Sequence, residues 1–169
     1  RWFRKAAEQG CAEAQFYMGV CCIEGLGVNQ NDYEAVKWFR KAAEQGDIEA
    51  QFNLGLCYYK GSGVNQSYSE ATTWDRRASE KGFARAQFNL GLCYYDGEGV
   101  NQNYYEAVRW IKKAAEQNYA AAQCYLGMCY YNGDGVERDD YEAIKWLRKA
   151  ARNGNNEAKN VLRKMGESW

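Results

Sequence analysis

A tryptophan recurs every 36 residues along this chain of 169, at Trp2, Trp38, Trp74, Trp110 and Trp146. A fixed period of this length is typical of a solenoid, in which one supersecondary unit is stacked many times. The period divides the chain into four full units, with a partial unit at each end. The full units are residues 14–49, 50–85, 86–121 and 122–157, and the partial units are 1–13 and 158–169.

Each full unit predicts two helices, here called helix A and helix B. In the second unit, the apolar pattern predicts helix A over residues 48–60, and Gly61 and Gly63 end it because glycine readily closes a last helical turn. Ser67 followed by Glu70 predicts a capping box that opens helix B. The partial unit 158–169 is predicted to be a C-terminal capping helix. The sequence therefore predicts an all-α fold, a right-handed α-α superhelix without strands.

Small residues recur in the middle of helix A, at Gly19, Gly55, Gly91 and Gly127. A glycine in a helix interior costs about 1 kcal/mol relative to alanine, so its repetition indicates a close approach of two helices. The large residues that fill the remaining space are predicted to be the structural tryptophans of helix B. These are Trp38, Trp74, Trp110 and Trp146.

The second unit departs from this pattern in helix B. It has Asp75 where the other units have Phe39, Ile111 and Leu147. Because an unpaired buried carboxylate is costly, we expect this position to be half-exposed. The alternatives are that helix B of the second unit is locally weaker, or that Asp75 has a functional role.

The seven cysteines are predicted to be free thiols. Cys21, Cys57, Cys93 and Cys129 occupy one register position. Equivalent positions in packed neighbouring helices lie about 9–10 Å apart, beyond the roughly 7 Å that a disulfide can bridge between Cα atoms. Free thiols favour a reducing compartment such as the cytoplasm, but the sequence does not otherwise fix the localisation.

Composition excludes several classes of function. The chain has 22 basic and 22 acidic residues, so it has no net charge that would attract nucleic acid or an acidic membrane surface. No apolar run approaches the length of a transmembrane helix, so membrane insertion is not expected. It has no histidine and no C-x-x-C, so neither a metal site nor a cofactor is expected. The basic residues of helix B are interpreted as a solvated face, with a surface for nucleic acid or an acidic partner as the alternative. No S-x-x-K motif is present to support serine β-lactamase chemistry.

The repeat reads A-x-x-x-L-G-x-x-Y-Y-x-G-x-G-V, followed by Y-x-E-A-x-x-W-x-x-K-A-A-x-x-G. This pattern resembles the Sel-one-like repeat (SLR) family, which is related to the tetratricopeptide repeats. The resemblance covers the whole chain. It implies an α-solenoid that acts as an adaptor scaffold in protein complexes, as family members do in signalling, in degradation of misfolded secretory proteins and in bacterial host interaction.

The resemblance also implies where a ligand binds, because helix A lines the concave groove in tetratricopeptide relatives. Asn53 and Asn89 fall where relatives bind a peptide backbone, and Arg85 falls where some have a basic clamp residue. A hydrogen bond between repeats is the alternative role for the two asparagines. The apolar groove residues implied in the same way are Phe52, Phe88, Leu56, Leu92, Tyr59, Tyr95 and Tyr131.

The predicted function is thus a non-catalytic scaffold that binds a protein or peptide in this groove. One alternative is a secreted or periplasmic SLR protein with a host-interaction role or a hydrolase-like role, since some cysteine-rich members carry a β-lactamase label. Another is a regulatory module of an enzyme whose catalytic part lies outside this sequence. The chain starts within a helical pattern, which predicts a fragment of a longer array. The oligomeric state stays open.

Overall fold

A computed structural model describes residues 2–169, with side chains described from Arg4 onward. This part of the chain forms ten α-helices and no strand, which confirms the all-α fold class. The helices are α1 (Trp2–Glu8), α2 (Ala12–Glu24), α3 (Asp32–Glu44), α4 (Ile48–Lys60), α5 (Tyr68–Glu80), α6 (Ala84–Asp96), α7 (Tyr104–Glu116), α8 (Ala120–Asn132), α9 (Asp140–Arg152) and α10 (Asn156–Lys164).

The helices pack as repeated pairs in two compact units. Unit 1 extends to Lys81, and unit 2 is Gly82–Trp169. In unit 1, α2 pairs with α3 and α4 pairs with α5, while α3 also packs on α4. In unit 2, α6 pairs with α7 and α8 pairs with α9, while α7 packs on α8 and α9 on α10. Helix A of the repeat is therefore α2, α4, α6 and α8, and helix B is α3, α5, α7 and α9.

Helix B begins at a side-chain cap in each of the four full repeats, as predicted. In the second repeat, the Ser67 hydroxyl accepts a hydrogen bond of 3.2 Å from the backbone N–H of Glu70. The reciprocal half of the predicted capping box is replaced by another contact. The backbone N–H of Ser67 donates instead to the carbonyl oxygen of Tyr58 on α4, at 3.0 Å. The cap thus joins helix B to helix A of the same repeat.

The mid-helix glycines lie where helix A meets helix B most closely, which confirms the predicted close approach. A Cβ atom added at Gly91 would lie 2.5 Å from Cγ1 of Ile111, and one added at Gly127 would lie 2.8 Å from Cγ of Leu147. A methyl group therefore fits at these positions only if the facing side chain or the helices move. Glycine therefore allows the close packing of α6 on α7 and of α8 on α9.

Asp75 occupies this same contact in unit 1, and the expectation that it is half-exposed is wrong. Its side chain is 4% exposed and faces Gly55, where an added Cβ would lie 3.0 Å from Oδ1. Thr72 and Ser79 of α5 are buried as well. The register of the repeat therefore determines burial at this position, and α5 has a more polar buried face than the other B helices.

Basic residues cover the repeated tryptophans. Trp110 is buried, and the Nζ atom of Lys113 lies 4.1 Å from its ring centroid. Residues three apart on a helix are neighbours, so the same contact recurs in each full repeat. The other pairs are Lys41 over Trp38 at 4.6 Å, Arg77 over Trp74 at 4.5 Å, and Lys149 over Trp146 at 4.2 Å. Part of the basic series on helix B thus has a packing role that sequence reasoning missed.

Buried glutamines connect successive repeats within each unit. In unit 2, Nε2 of Gln123 donates to the carbonyl oxygen of Ala115 at 3.1 Å, and Oε1 of Gln123 accepts from Asn153 at 2.9 Å. In unit 1, Lys81 stands at the position of Asn153 and donates to the carbonyl oxygen of Gly46 at 2.6 Å. The Oε1 atom of Gln51, which corresponds to that of Gln123, is buried without a hydrogen-bond partner among the described residues.

All seven cysteines are free thiols, and five of them are buried. Burial raises the pKa of Cys57 to about 11, and the negative charge of Asp32 adds to the increase. Burial likewise raises the pKa of Cys124 to about 11 and that of Cys129 to about 12. These thiols stay protonated at neutral pH, which lowers their reactivity because the thiolate is the nucleophile.

The substitution Lys81→Gln is expected to increase the free energy of unfolding by about 1 kcal/mol, since it gives the buried Gln51 oxygen a donor. Denaturant unfolding measures the change. Lys60→Gln, which removes an exposed lysine of the same unit, is the control and should have little effect. Equal stability of the two variants would contradict this account of the glutamine contacts.

Trp110→Ala is expected to lower the free energy of unfolding by about 3–5 kcal/mol, the range for loss of a large buried aromatic side chain. Lys113→Ala removes only the cation above the same ring and should cost about 0.5–1 kcal/mol. Denaturant unfolding of the two variants and of the unsubstituted chain measures both changes. A loss below about 1 kcal/mol for Trp110→Ala would show that the ring is not structural.

The stability contributed by the Cys57 thiol is expected to fall at alkaline pH. Its folded-state pKa is raised from about 8.5 in an unfolded chain to about 11, so the contribution is complete below pH 8.5 and is lost as the pH rises through 11. The difference in unfolding free energy between the natural chain and Cys57→Ala should therefore decrease by about 1–2 kcal/mol from pH 8 to pH 10. A constant difference would contradict burial of the thiol.

Candidate functional site

One surface of unit 2 combines aromatic, apolar and amide side chains from two A helices. On α6, residues three and four apart share a face, which places Phe88, Leu92 and Tyr95 in one row with Asn89 beside it. On α8, Met128 and Tyr131 correspond to Leu92 and Tyr95, and Tyr125 corresponds to Asn89. We call these side chains the helix-A surface of unit 2, which consists of Phe88, Asn89, Leu92, Tyr95, Tyr125, Met128 and Tyr131. Each of these side chains is half-buried or exposed.

Direct ring contacts join the two helices of this surface. Tyr125 of α8 lies 5.4 Å from Tyr95 between ring centroids, at an interplanar angle of 90°. Tyr125 also lies 6.0 Å from Phe88, at 74°. Tyr95 also contacts Tyr104, the first residue of α7, with ring centroids 4.8 Å apart at an interplanar angle of 63°. Edge-to-face pairs of this kind are favourable, so the rings form one continuous aromatic surface.

The Tyr95 hydroxyl is held by a carboxylate of the next repeat. It donates to Oδ2 of Asp134 at 2.9 Å, and the same oxygen accepts from Nδ2 of Asn132 at 3.1 Å. Burial and the bond to Asp134 raise the pKa of Tyr95 well above its ordinary value. Burial, with the negative charge of Asp96 nearby, raises the pKa of Tyr125 to about 12. Both phenols therefore remain neutral at physiological pH.

The predicted groove residues of unit 1 are less uniformly placed. Phe52 is only 3% exposed, so a ligand cannot reach its ring without a rearrangement of the core. Asn53 is half-buried, and its Nδ2 donates within its own helix to the carbonyl oxygen of Glu49 at 2.8 Å. Leu56 is half-buried. Tyr59 is exposed, and its ring centroid lies 5.3 Å from that of Tyr68.

Unit 2 brings together Phe88, Asn89, Leu92 and Tyr95 from the predicted set, and Tyr131 lies on the same surface at 43% exposure. Arg85 is exposed in the first turn of α6. Sequence reasoning missed Asp134 and Tyr104 as partners of Tyr95. The only signal in the sequence is that Asp134 lies in the glycine-containing loop, where the other repeats have different residues.

The repeats match a family model described as the Sel1 repeat. It matches at residues 1–11, 12–47, 48–83, 84–119 and 120–155. The chain therefore belongs to the Sel1 repeat family, whose members generally act as non-catalytic protein-interaction scaffolds.

Solved structures support the same assignment. The chain is 41% identical to c5321, a protective antigen of uropathogenic Escherichia coli with an SLR fold, at a TM-score of 0.95 over 97% of this chain and 35% of that one. It is 42% identical to a Sel1 repeat protein from Oxalobacter formigenes, at a TM-score of 0.88 over 95% of this chain and 64% of that one. The chain thus spans about a third of the antigen and under two thirds of the second protein.

A more distant structure shares the fold alone. Cysteine rich protein B of Helicobacter pylori is 24% identical, at a TM-score of 0.63 over 79% of this chain and 96% of that one. No curated protein matches the chain. Among the helices of residues 2–169, none is long and apolar enough to cross a bilayer.

Proposed function

We propose that this chain is a non-catalytic scaffold that binds an extended segment of a partner protein on the helix-A surface of unit 2. The observation that carries the proposal is the continuous row of partly exposed rings across α6 and α8, anchored by the bond between Tyr95 and Asp134. Aromatic side chains with polar tips are enriched at protein interfaces, and rigid ones lose little entropy when they bind.

Asn89 supports an extended ligand in particular. It lies half-buried beside Phe88 on the same helix, and an asparagine amide both donates to and accepts from a peptide backbone. Backbone contacts of this kind orient a peptide with little sequence preference, while the neighbouring rings give selectivity. Arg85, in the first turn of α6, is proposed as an additional contact of the same unit. We do not propose Phe52, because it is buried.

The first test uses peptides selected from a phage-displayed library of random 12-residue sequences against the 169-residue chain. Tyr131→Ala and Asn89→Ala should each weaken binding of the selected peptides by about 1–3 kcal/mol, since interface energy is concentrated in a few residues. Isothermal titration calorimetry measures the affinity. Tyr131 suits this test better than Tyr95, whose removal would also break the contact with Asp134.

The matched control is Lys112→Ala, which changes an exposed residue on helix B of the same repeat as Asn89. Its binding should equal that of the natural chain within about 0.5 kcal/mol. Loss of binding in Lys112→Ala, with unchanged binding in Tyr131→Ala and Asn89→Ala, would refute the proposal and move the site to helix B. Circular dichroism of each variant verifies that the fold is retained.

A further inference from the structure

The helix-A surface of unit 2 is acidic where it meets the loops. Asp96 ends α6 and is exposed, Glu98 follows it in the loop, and Asp134 lies in the loop after α8. None of these three carboxylates pairs with a lysine or arginine among the described residues.

Two of these carboxylates, those of Asp96 and Asp134, lie close to the aromatic rings. Asp134 accepts from the Tyr95 hydroxyl at 2.9 Å. Asp96 directly follows Tyr95 at the end of α6, and its negative charge, like that of Asp134, helps to raise the pKa of Tyr125. Tyr95 also contacts Tyr104. We call this group of Tyr95, Tyr104, Tyr125, Asp96 and Asp134 the acidic aromatic corner. A cation placed there would lie beside both aromatic rings and carboxylates.

In the next repeat, a basic side chain of the protein itself occupies the corresponding position. The guanidinium of Arg138 lies 5.4 Å from the ring centroid of Tyr131, and it pairs with Asp140 at 3.1 Å. The residue 36 positions earlier is Gln102, whose neutral amide donates to the Tyr95 carbonyl at 2.9 Å and to the Tyr104 hydroxyl at 3.1 Å. One repeat therefore has its own cation over its tyrosine, and the repeat that contributes Tyr95 has a neutral amide there.

We propose that a protein segment bound on this surface inserts a lysine or arginine side chain into the acidic aromatic corner, with an apolar neighbour on Phe88 and Leu92. This inference rests on the proposed function and specifies the chemistry of the partner. Charge complementarity favours a basic segment, because the acidic groups at this end of the surface lack an internal counter-ion. Desolvated cation–π contacts add to the attraction.

The peptide probes are the strongest binders from the random 12-residue library. They are expected to share a lysine or arginine next to an apolar residue. Replacement of that arginine by citrulline, or of that lysine by norleucine, should weaken binding about tenfold, which corresponds to 1.4 kcal/mol. Affinity for the unmodified peptide should fall as salt is raised, whereas affinity for the citrulline or norleucine peptide should change little.

Protein variants test the same contact from the other side. Asp96→Lys places at this position the residue that the second repeat has there, Lys60, and Asp96→Asn places the residue of the fourth repeat, Asn132. Both replacements therefore suit the fold. Asp96→Lys should weaken binding of the basic peptide about tenfold or more, and Asp96→Asn should weaken it by a smaller factor.

Two further variants show whether a loss of affinity comes from a local contact or from the net charge of the protein. Glu116→Lys makes the same change of charge at the exposed end of α7 and should alter affinity less than about twofold. Gln102→Arg introduces the arginine of the fourth repeat. This side chain of the protein itself should occupy the acidic aromatic corner and weaken binding of the peptide about as much as Asp96→Lys does.

The outcomes distinguish the two proposals. If no selected peptide is recovered, or none responds to Tyr131→Ala and Asn89→Ala, the proposed function fails and this inference fails with it. If peptides respond to those two variants but show no shared basic residue and are unaffected by Asp96→Lys, the scaffold proposal stands and the inference is overturned. Equal effects of Asp96→Lys and Glu116→Lys also overturn it, because the attraction would then be a property of net charge.

Discussion

The contact between the glycine in the middle of helix A and the facing side chain of helix B determines the geometry of each repeat. At Gly91 an added Cβ would lie 2.5 Å from Cγ1 of Ile111 and 3.1 Å from the carbonyl oxygen of Ala107, so the close approach of the two helices depends on the absence of a side chain there. This separation allows the Asn103 backbone N–H to donate to the Tyr94 carbonyl at 2.8 Å. A second glycine acts in the same way between repeats, because a side chain at Gly135 would collide with the carbonyl of Tyr104.

Asp75 shows which of two sequence arguments is stronger. The cost of burying a carboxylate predicted exposure, whereas register with Ile111 and Leu147 implied burial, and the side chain is 4% exposed. In a repeat protein the backbone position is imposed by many glycine, cap and tryptophan contacts. One unfavourable side chain cannot move the helix away from its neighbour. Register was therefore the better guide, and it also predicted the helix bounds well, because α4 is Ile48–Lys60 as expected.

The candidate site was less predictable, because residues in register do not share neighbours. Phe52 and Phe88 are equivalent in the repeat, yet Phe52 is 3% exposed and Phe88 is half-buried beside Tyr119 and Tyr125. Alignment with related repeats assigns the same groove role to both phenylalanines. The bond from Tyr95 to Asp134 was equally invisible, since it spans 39 residues and uses a loop residue that only one repeat has. Periodicity describes what the repeats share, and the site depends on how they differ.

This difference lets one repeat specialise without loss of the fold. The contacts that hold unit 2 together, such as Gly127 against Leu147 and Gln123 with Asn153, lie away from Asp96 and Gln102. Residues at the ends of the A helices can therefore change freely, and the chain already has lysine, aspartate and asparagine at one such position. Tyr95 is the exception, because it is part of the surface and also joins two repeats through Asp134. A surface anchored in this way presents its rings in one arrangement before a partner arrives, which reduces the entropy lost on binding.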